Sequence, residues 1–334
     1  MKAGKLSQTV WRRSVLKQLH TDSSAILLHP SAEEMCTAMR VHAEEAAVNA
    51  SASVSGNSEY LGTYAIAKAL NDLATRGAEP VGVSLQILLP EQAEEPQLKA
   101  SVLQMEMLCE QLGIQIAGVQ AEVNPAVSRT IIMANVFGTA AQQSLMKAAD
   151  AGPEQDIVLC GYIGLEGMLR ILDEREAELA GRFVPAFLHQ MKKLRGELVK
   201  LDAIRAARAC NVTAMQQIGS GGIWAALWEL AEAAGVGMKV EMSGIAVKQE
   251  TIEVCEYYHL NPYQMTSTGA VLMTAKDGDA LVEALEASGA RAGRLGVTTA
   301  GNARVITSGE EQRFLDRPAP DELIRWQKEV GGLS

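Results

Sequence analysis

Aromatic side chains are scarce: Phe, Tyr and Trp make up 4% of the 334 residues, so Ala, Val, Leu, Ile and Met must fill the cores. Positive charge is also short. Thirty Lys and Arg against 40 Asp and Glu leave a net charge of −10, which argues against a non-specific nucleic-acid or anionic-membrane binder. No apolar run approaches the roughly eighteen residues that span a bilayer, and the basic stretch Met1 to Leu19 lacks the apolar centre of a signal peptide. The 5 cysteines (Cys36, Cys109, Cys160, Cys210 and Cys255) are far apart and form no Cys-x-x-Cys pair. They read as reduced thiols of a cytoplasmic protein, and the equally scattered histidines argue against zinc.

What the chain does have is length and apolar mass. At 334 residues with 48% hydrophobic content it exceeds the size of a usual single core, so two domains are expected. Gly62–Thr75 places Ile66, Leu70, Leu73 and Ala74 on one helical face, and Val81–Leu89 alternates as a half-buried strand. A helix over Gln97–Leu112 ends at Gly113, with short β-type runs at Ile114–Ala117 and Thr130–Phe137. Glu33, Glu34, Glu44 and Glu45 read as solvated helix charges, and the basic residues from Lys5 to Lys17 as a solvated amphipathic arm. Ala140–Pro153 is the expected junction, giving domains 1–145 and 150–334. The second half offers strands at Asp156–Cys160, Lys239–Met242, Val271–Ala275 and Val305–Thr307. Helices are expected from Leu165, through Leu179–Ala209 and at Asp279–Ser288. This order is α/β or α+β, without repeats.

One turn stands out. Gly219-Ser220-Gly221-Gly222 runs into an apolar helix, Ile223–Ala234, closed by Gly235. Glycines let backbone N–H groups approach an anion, and a helix start is partially positive. A tight strand-to-helix connection is the plainer reading. Trp224 and Trp228, four apart, share a helix face and read as core or interface.

The chain resembles the aminoimidazole ribonucleotide synthase superfamily, and within it the hydrogenase-maturation-factor branch. The residues that carry this are Gly152-Pro153-Glu154-Gln155-Asp156-Ile157-Val158, Gly164-Leu165-Glu166-Gly167, and Val212-Thr213-Ala214-Met215 leading into Gly221-Gly222-Ile223. Cys255 to Pro262 and Ser267-Thr268-Gly269 add to them, with Gly4-Lys5-Leu6, Asn71-Asp72-Leu73-Ala74 and Gly77-Ala78-Glu79-Pro80 in the first half. The resemblance implies an N-terminal α/β domain that builds a β-barrel with its copy in a homodimer, and a C-terminal α/β domain. It also implies ATP and magnesium in a cleft, with an amide, carbonyl or small acceptor activated by phosphoryl or adenylyl transfer.

The site positions depart from that pattern. Where the family carries a key aspartate this chain has Met35, beside Glu33 and Glu34. Its Thr-Asp becomes Ser51-Ala52-Ser53, and its Gly-Gly-Asp/His-Thr becomes Gly118-Val119-Gln120-Ala121. The aspartate before the glycine pair becomes Gln217. Only Asn71 and Asp72 keep the expected types. Magnesium needs anionic oxygens in an octahedron, and Met, Ser and Gln supply none. The thiol that the maturation factors carry at the C-terminus is also absent from Glu329-Val330-Gly331-Gly332-Leu333-Ser334. The leading expectation is therefore a non-catalytic or altered-ligand protein with a degenerate cleft. It would bind a small anionic or nucleotide-like ligand through Gly219, Ser220, Gly221, Gly222, Asn71 and Asp72, with no metal. ATP and magnesium enter only if the ancestral site is retained. The competing expectation is an active ATP-dependent enzyme in which Glu33, Glu34, Asp72 and Glu122 replace the lost ligands.

Overall fold

The computed structural model describes residues 4–28 and 38–330, so Glu33, Glu34, Met35 and Cys36 lie outside the described residues. The chain divides into two compact units, Met1–Leu145 and Met146–Ser334. No described helix is long and apolar enough to cross a membrane.

The first unit runs β1 (Gly4–Lys5), α1 (Gln8–Ser14), β2 (Ile26–Leu28), β3 (Ala38–Met39), β4 (Glu45–Gly56), α2 (Leu61–Ala74), β5 (Glu79–Leu89), α3 (Glu95–Leu112), β6 (Gln115–Val123) and β7 (Thr130–Ala141). Five of these strands form one sheet in the order β1-β6-β5-β7-β4, and β2 pairs β3 separately. Helix α3 is the crossover between the parallel neighbours β5 and β6. It starts with a reciprocal cap between Glu94 and Gln97 and stops at Gly113, whose φ of 66° a side chain would strain.

Period-two alternation splits this sheet into two unlike faces. Val83, Leu85, Ile87, Val119, Ala121, Ile132, Ala134 and Val136 are buried on the side where α2 and α3 pack. On the other side Leu88, Ile131, Met133 and Phe137 are only half-buried, and Ser51, Ser53, Gln86 and Gln120 are exposed. Register joins them into one surface: Met133 faces Ser53 on β4 and Gln86 on β5, and Gln86 faces Gln120 on β6.

Two expectations are corrected here. Glu44 and Glu45 are not helix charges: Glu44 takes a φ of 69° just before β4, and Glu45 opens that strand. The basic start is not a solvated arm either. Trp11 and Val15 are buried, and Arg13 pairs with Glu95 at the head of α3. Apolar residues at i and i+4 were enough to dock the segment despite its charge.

The second unit runs β8 (Asp156–Cys160), α4 (Leu165–Ala180), α5 (Pro185–Lys193), α6 (Leu201–Ala209), β9 (Ala214–Gln217), α7 (Gly222–Ala234), β10 (Gly237–Glu241), α8 (Gln249–Tyr257), β11 (Val271–Ala275), α9 (Gly278–Ala287), β12 (Ala292–Thr299), β13 (Arg304–Ser308), β14 (Glu311–Phe314) and α10 (Glu322–Val330). Its seven strands order as β14-β13-β10-β12-β8-β11-β9. β8 and β11 are buried along nearly their whole length, which explains their continuous apolar runs. A core of Ile157, Leu159, Ile223, Trp224, Leu227, Met238, Val240, Leu272 and Ile306 joins α7 to this sheet.

Candidate functional site

The glycine turn leaves the end of β9 and delivers the chain into α7. Gly221 and Gly222 both take positive φ, 82° and 67°. A Cβ on Gly222 would stand 2.3 Å from the Tyr263 carbonyl oxygen and 2.8 Å from the Met265 nitrogen. One on Gly221 would meet Ala225 at 2.8 Å. These glycines are demanded by the fold, because backbone of a neighbouring segment presses against the helix start.

The turn does face an anion, but one supplied by the chain itself. The Gly221 N–H donates to Asp321 Oδ2 at 2.8 Å, and the other oxygen of that carboxylate accepts from the Leu323 N–H at 2.8 Å. Asp321 is buried and stands just ahead of α10, so one carboxylate caps that helix and ties it to the turn. The Gly222 N–H closes back on the Gly219 carbonyl at 3.2 Å. Asp321 before a helical run is a cap signal that sequence carries, whereas its partner a hundred residues upstream is not.

Gln217, the neutral residue before the turn, is buried at the end of β9. Its neighbour Gln216 donates to Glu229 Oε2 at 2.8 Å. Burial pushes the Glu229 carboxyl above the ordinary range, and the Gln216 bond works in the opposite direction.

The two other glycine-containing motifs converge on one carboxylate. Glu166, on the first turn of α4, is 0% exposed. Its Oε2 accepts from the hydroxyls of Thr266 and Thr268, each at 2.7 Å, and its Oε1 faces Arg170 at 3.3 Å. The Gly164 N–H donates to Ser267 Oγ at 2.7 Å. Gly164–Gly167 and Ser267–Gly269 are thus joined by hydrogen bonds from hydroxyls to the Glu166 carboxylate, whose ion pair with Arg170 stays within α4. The sequence placed both motifs but not the bond between them.

In the first unit, Asn71 is buried in α2 and Asp72 is half-buried beside it. Glu122 accepts from Asn124 Nδ2 at 3.0 Å and sits on the open face of the sheet, in line with Gln120 and Leu88. Helix α2 packs on the opposite face, so the sheet separates Asp72 from Glu122. Ser51 and Ser53 lie on the open face and Ala52 on the helix side. Among the described residues no three His, Cys, Asp or Glu side chains group as a metal site requires. The buried thiols offer no nucleophile at neutral pH: burial pushes Cys160 up to about 11 and Cys255 to about 12.

Fold and motifs together define a two-unit α/β protein whose five- and seven-stranded sheets each carry helices, with a glycine turn leading into an apolar helix. Models of the AIR synthase related protein family match the chain on both sides, the N-terminal domain over residues 22–140 and the C-terminal domain over residues 152–308. The chain belongs to that family. It is 26% identical over 275 residues to the carbamoyl dehydratase HypE of Rhodobacter capsulatus, covering 79% of this chain and 78% of that one. The fold matches the crystal structure of E. coli HypE with a TM-score of 0.75 at 22% identity, over 96% of this chain and 100% of that one. It also matches a hydrogenase maturation protein HypE solved in complex with ATP, with a TM-score of 0.73 at 17% identity, over 96% and 97% of the two chains.

Proposed function

We propose that this protein is a cytoplasmic homodimer that binds a small anionic or nucleotide-like ligand without a divalent metal and does not turn it over. One observation carries the reading. Ser51, Ser53, Gln120 and Gln217, at positions where the family resemblance expects metal-holding groups, are neutral, and among the described residues the two candidate replacement acids, Asp72 and Glu122, lie on opposite faces of a sheet. A triphosphate that keeps its charge without a cation must be met by amides, hydroxyls or cationic side chains.

Titration calorimetry with ATP, with and without magnesium, tests this. The expected result is an affinity that the metal changes by less than about threefold. Tight binding that appears only with magnesium, or ATP hydrolysis, sinks the reading and restores the enzyme. A second arm uses Asp321→Asn, which keeps an oxygen for the Leu323 N–H and removes the charge from the turn. Inorganic phosphate is expected to bind this variant about tenfold more tightly than the parent.

The open face of the first sheet supports the homodimer. Leu88, Ile131, Met133 and Phe137 are half-buried on this face and interleave with the polar Ser51, Ser53, Gln86, Gln120, Glu122 and Asn135, a mixed composition that a non-obligate interface shares. A second copy supplies an equivalent sheet of the same character. Sedimentation is expected to give twice the chain mass. The Ile131→Asp/Met133→Asp double variant is expected to give a folded monomer, and a monomeric parent would refute the arrangement.

A further inference from the structure

The β13–β14 hairpin ends the second sheet and borders a cavity of about 360 Å³ lined by Met242, Ile306, Ser308, Glu311, Gln312 and Arg313. That volume suits a small ligand. Pairing sets Ile306 opposite Arg313 and Ser308 opposite Glu311, so these four share one face of the hairpin. Ile306 belongs to the core under α7, which identifies this face as the one turned toward that helix.

Two features distinguish the cavity from an ordinary charged edge. The Arg313 guanidinium lies over the Trp224 ring at 5.5 Å, and Trp224 stacks on Tyr263 with centroids 5.1 Å apart and planes 11° from parallel. The cation is therefore held by an aromatic platform without spending its hydrogen-bonding edge. Second, neither Arg313 nor Glu311 has an ion-pair partner among the described residues. Arg304 on the same hairpin shows the contrast: it lies over Trp228 at 3.9 Å but is also paired with Glu232 at 2.6 Å. Both unpaired charges also lie beyond residue 308, where the match to the family's C-terminal domain ends.

Glu311 and Arg313 are two residues apart on an extended strand, so their backbones are about 7 Å apart. A simple anion drawn to Arg313 is repelled by Glu311, and a simple cation meets the reverse. A molecule carrying both charges satisfies both, while the half-buried Met242, above the core residue Ile306, offers an apolar contact to the rest of it. We propose that this cavity binds a small zwitterion with an apolar body, of which an α-amino acid is the simplest form. Its carboxylate meets Arg313 and its ammonium meets Glu311, with the Ser308 hydroxyl on the same face opposite Glu311. The glycine turn contributes no residue to this cavity, so the two ligand readings stand or fall separately.

The test is calorimetry on the full chain with L-leucine, L-methionine and L-phenylalanine, alongside N-acetyl-L-leucine, which lacks the ammonium, and 3-methylbutylamine, which lacks the carboxylate. At least one amino acid is expected to bind saturably, and the corresponding half-ligands at least about tenfold more weakly. Arg313→Gln is expected to weaken the amino acid by about tenfold or more, and Glu311→Gln to remove the preference for leucine over its N-acetyl form. Both residues are exposed, so both variants keep the parent's circular dichroism and melting temperature. The proposal is overturned if no amino acid binds up to about 10 mM. It is equally overturned if N-acetyl-leucine binds the parent as well as leucine does, or if Arg313→Gln leaves affinity unchanged.

Discussion

Glu166→Ala is expected to cost about 3–5 kcal/mol of stability, among the largest losses available to a single substitution in this chain. Glu166 is fully buried, and its removal takes a carboxylate from beside Arg170, itself only 9% exposed, and an acceptor from the hydroxyls of Thr266 and Thr268. The loss of a buried ion pair and of two hydrogen bonds to a charged acceptor accounts for the magnitude. Glu166→Gln keeps the shape and one accepting oxygen, so its loss should be smaller, about 1–2 kcal/mol. Urea titration reads both as shifts of the midpoint at constant slope. A midpoint for Glu166→Ala within error of the parent would show that the two motifs are held together by something other than this carboxylate.

Gly222→Ala comes next, at about 3 kcal/mol or more. The left-handed conformation costs an alanine roughly 1–2 kcal/mol, and forcing a methyl into packed backbone adds a comparable amount. The obstructing atoms are the Tyr263 carbonyl oxygen at 2.3 Å and the Met265 nitrogen at 2.8 Å, neither the tip of a flexible side chain. Gly235→Ala is the internal control. Its φ of 64° is nearly the same, but nothing stands within 4 Å of the added carbon, so only the conformational cost of about 1 kcal/mol remains. Melting temperatures should separate the two variants clearly. If both lose equally, the packing of the turn against 263–265 does not constrain it. The comparison also bears on function, because glycines required by packing are not in themselves evidence of a ligand.

Sequence reading reached the elements whose physics is local. Helices α2 and α3 were legible from apolar spacing and from Gly77 and Gly113, and β8 and β11 from short apolar runs bounded by turns. Strand β4 was not. Its twelve residues, EAAVNASASVSG, are mostly Ala and Ser, which favour no strand, and its pairing with β7 across eighty residues supplies what propensity lacks. The short run read at Ile114–Ala117 extends to Val123 because β5 and β1 both pair with it. At the site, the glycine turn and the neutral Gln217 were readable as residues. What occupies the turn was not, since Asp321 reaches it only through the folded sheet. The Glu166 network escaped for the same reason: its hydroxyl partners lie a hundred residues downstream.

The Asp321 carboxylate leaves the molecule with a built-in readout. Its two oxygens serve two masters, the amide at the mouth of α7 and the first turn of the last helix. A solute that wins the Gly221 amide does so in exchange for that carboxylate, and thermodynamic linkage then obliges the terminal helix to loosen as the mouth fills. Cleavage of residues 322–330 by a dilute protease would then become a gauge of occupancy, rising with the solute and falling when it is dialysed away.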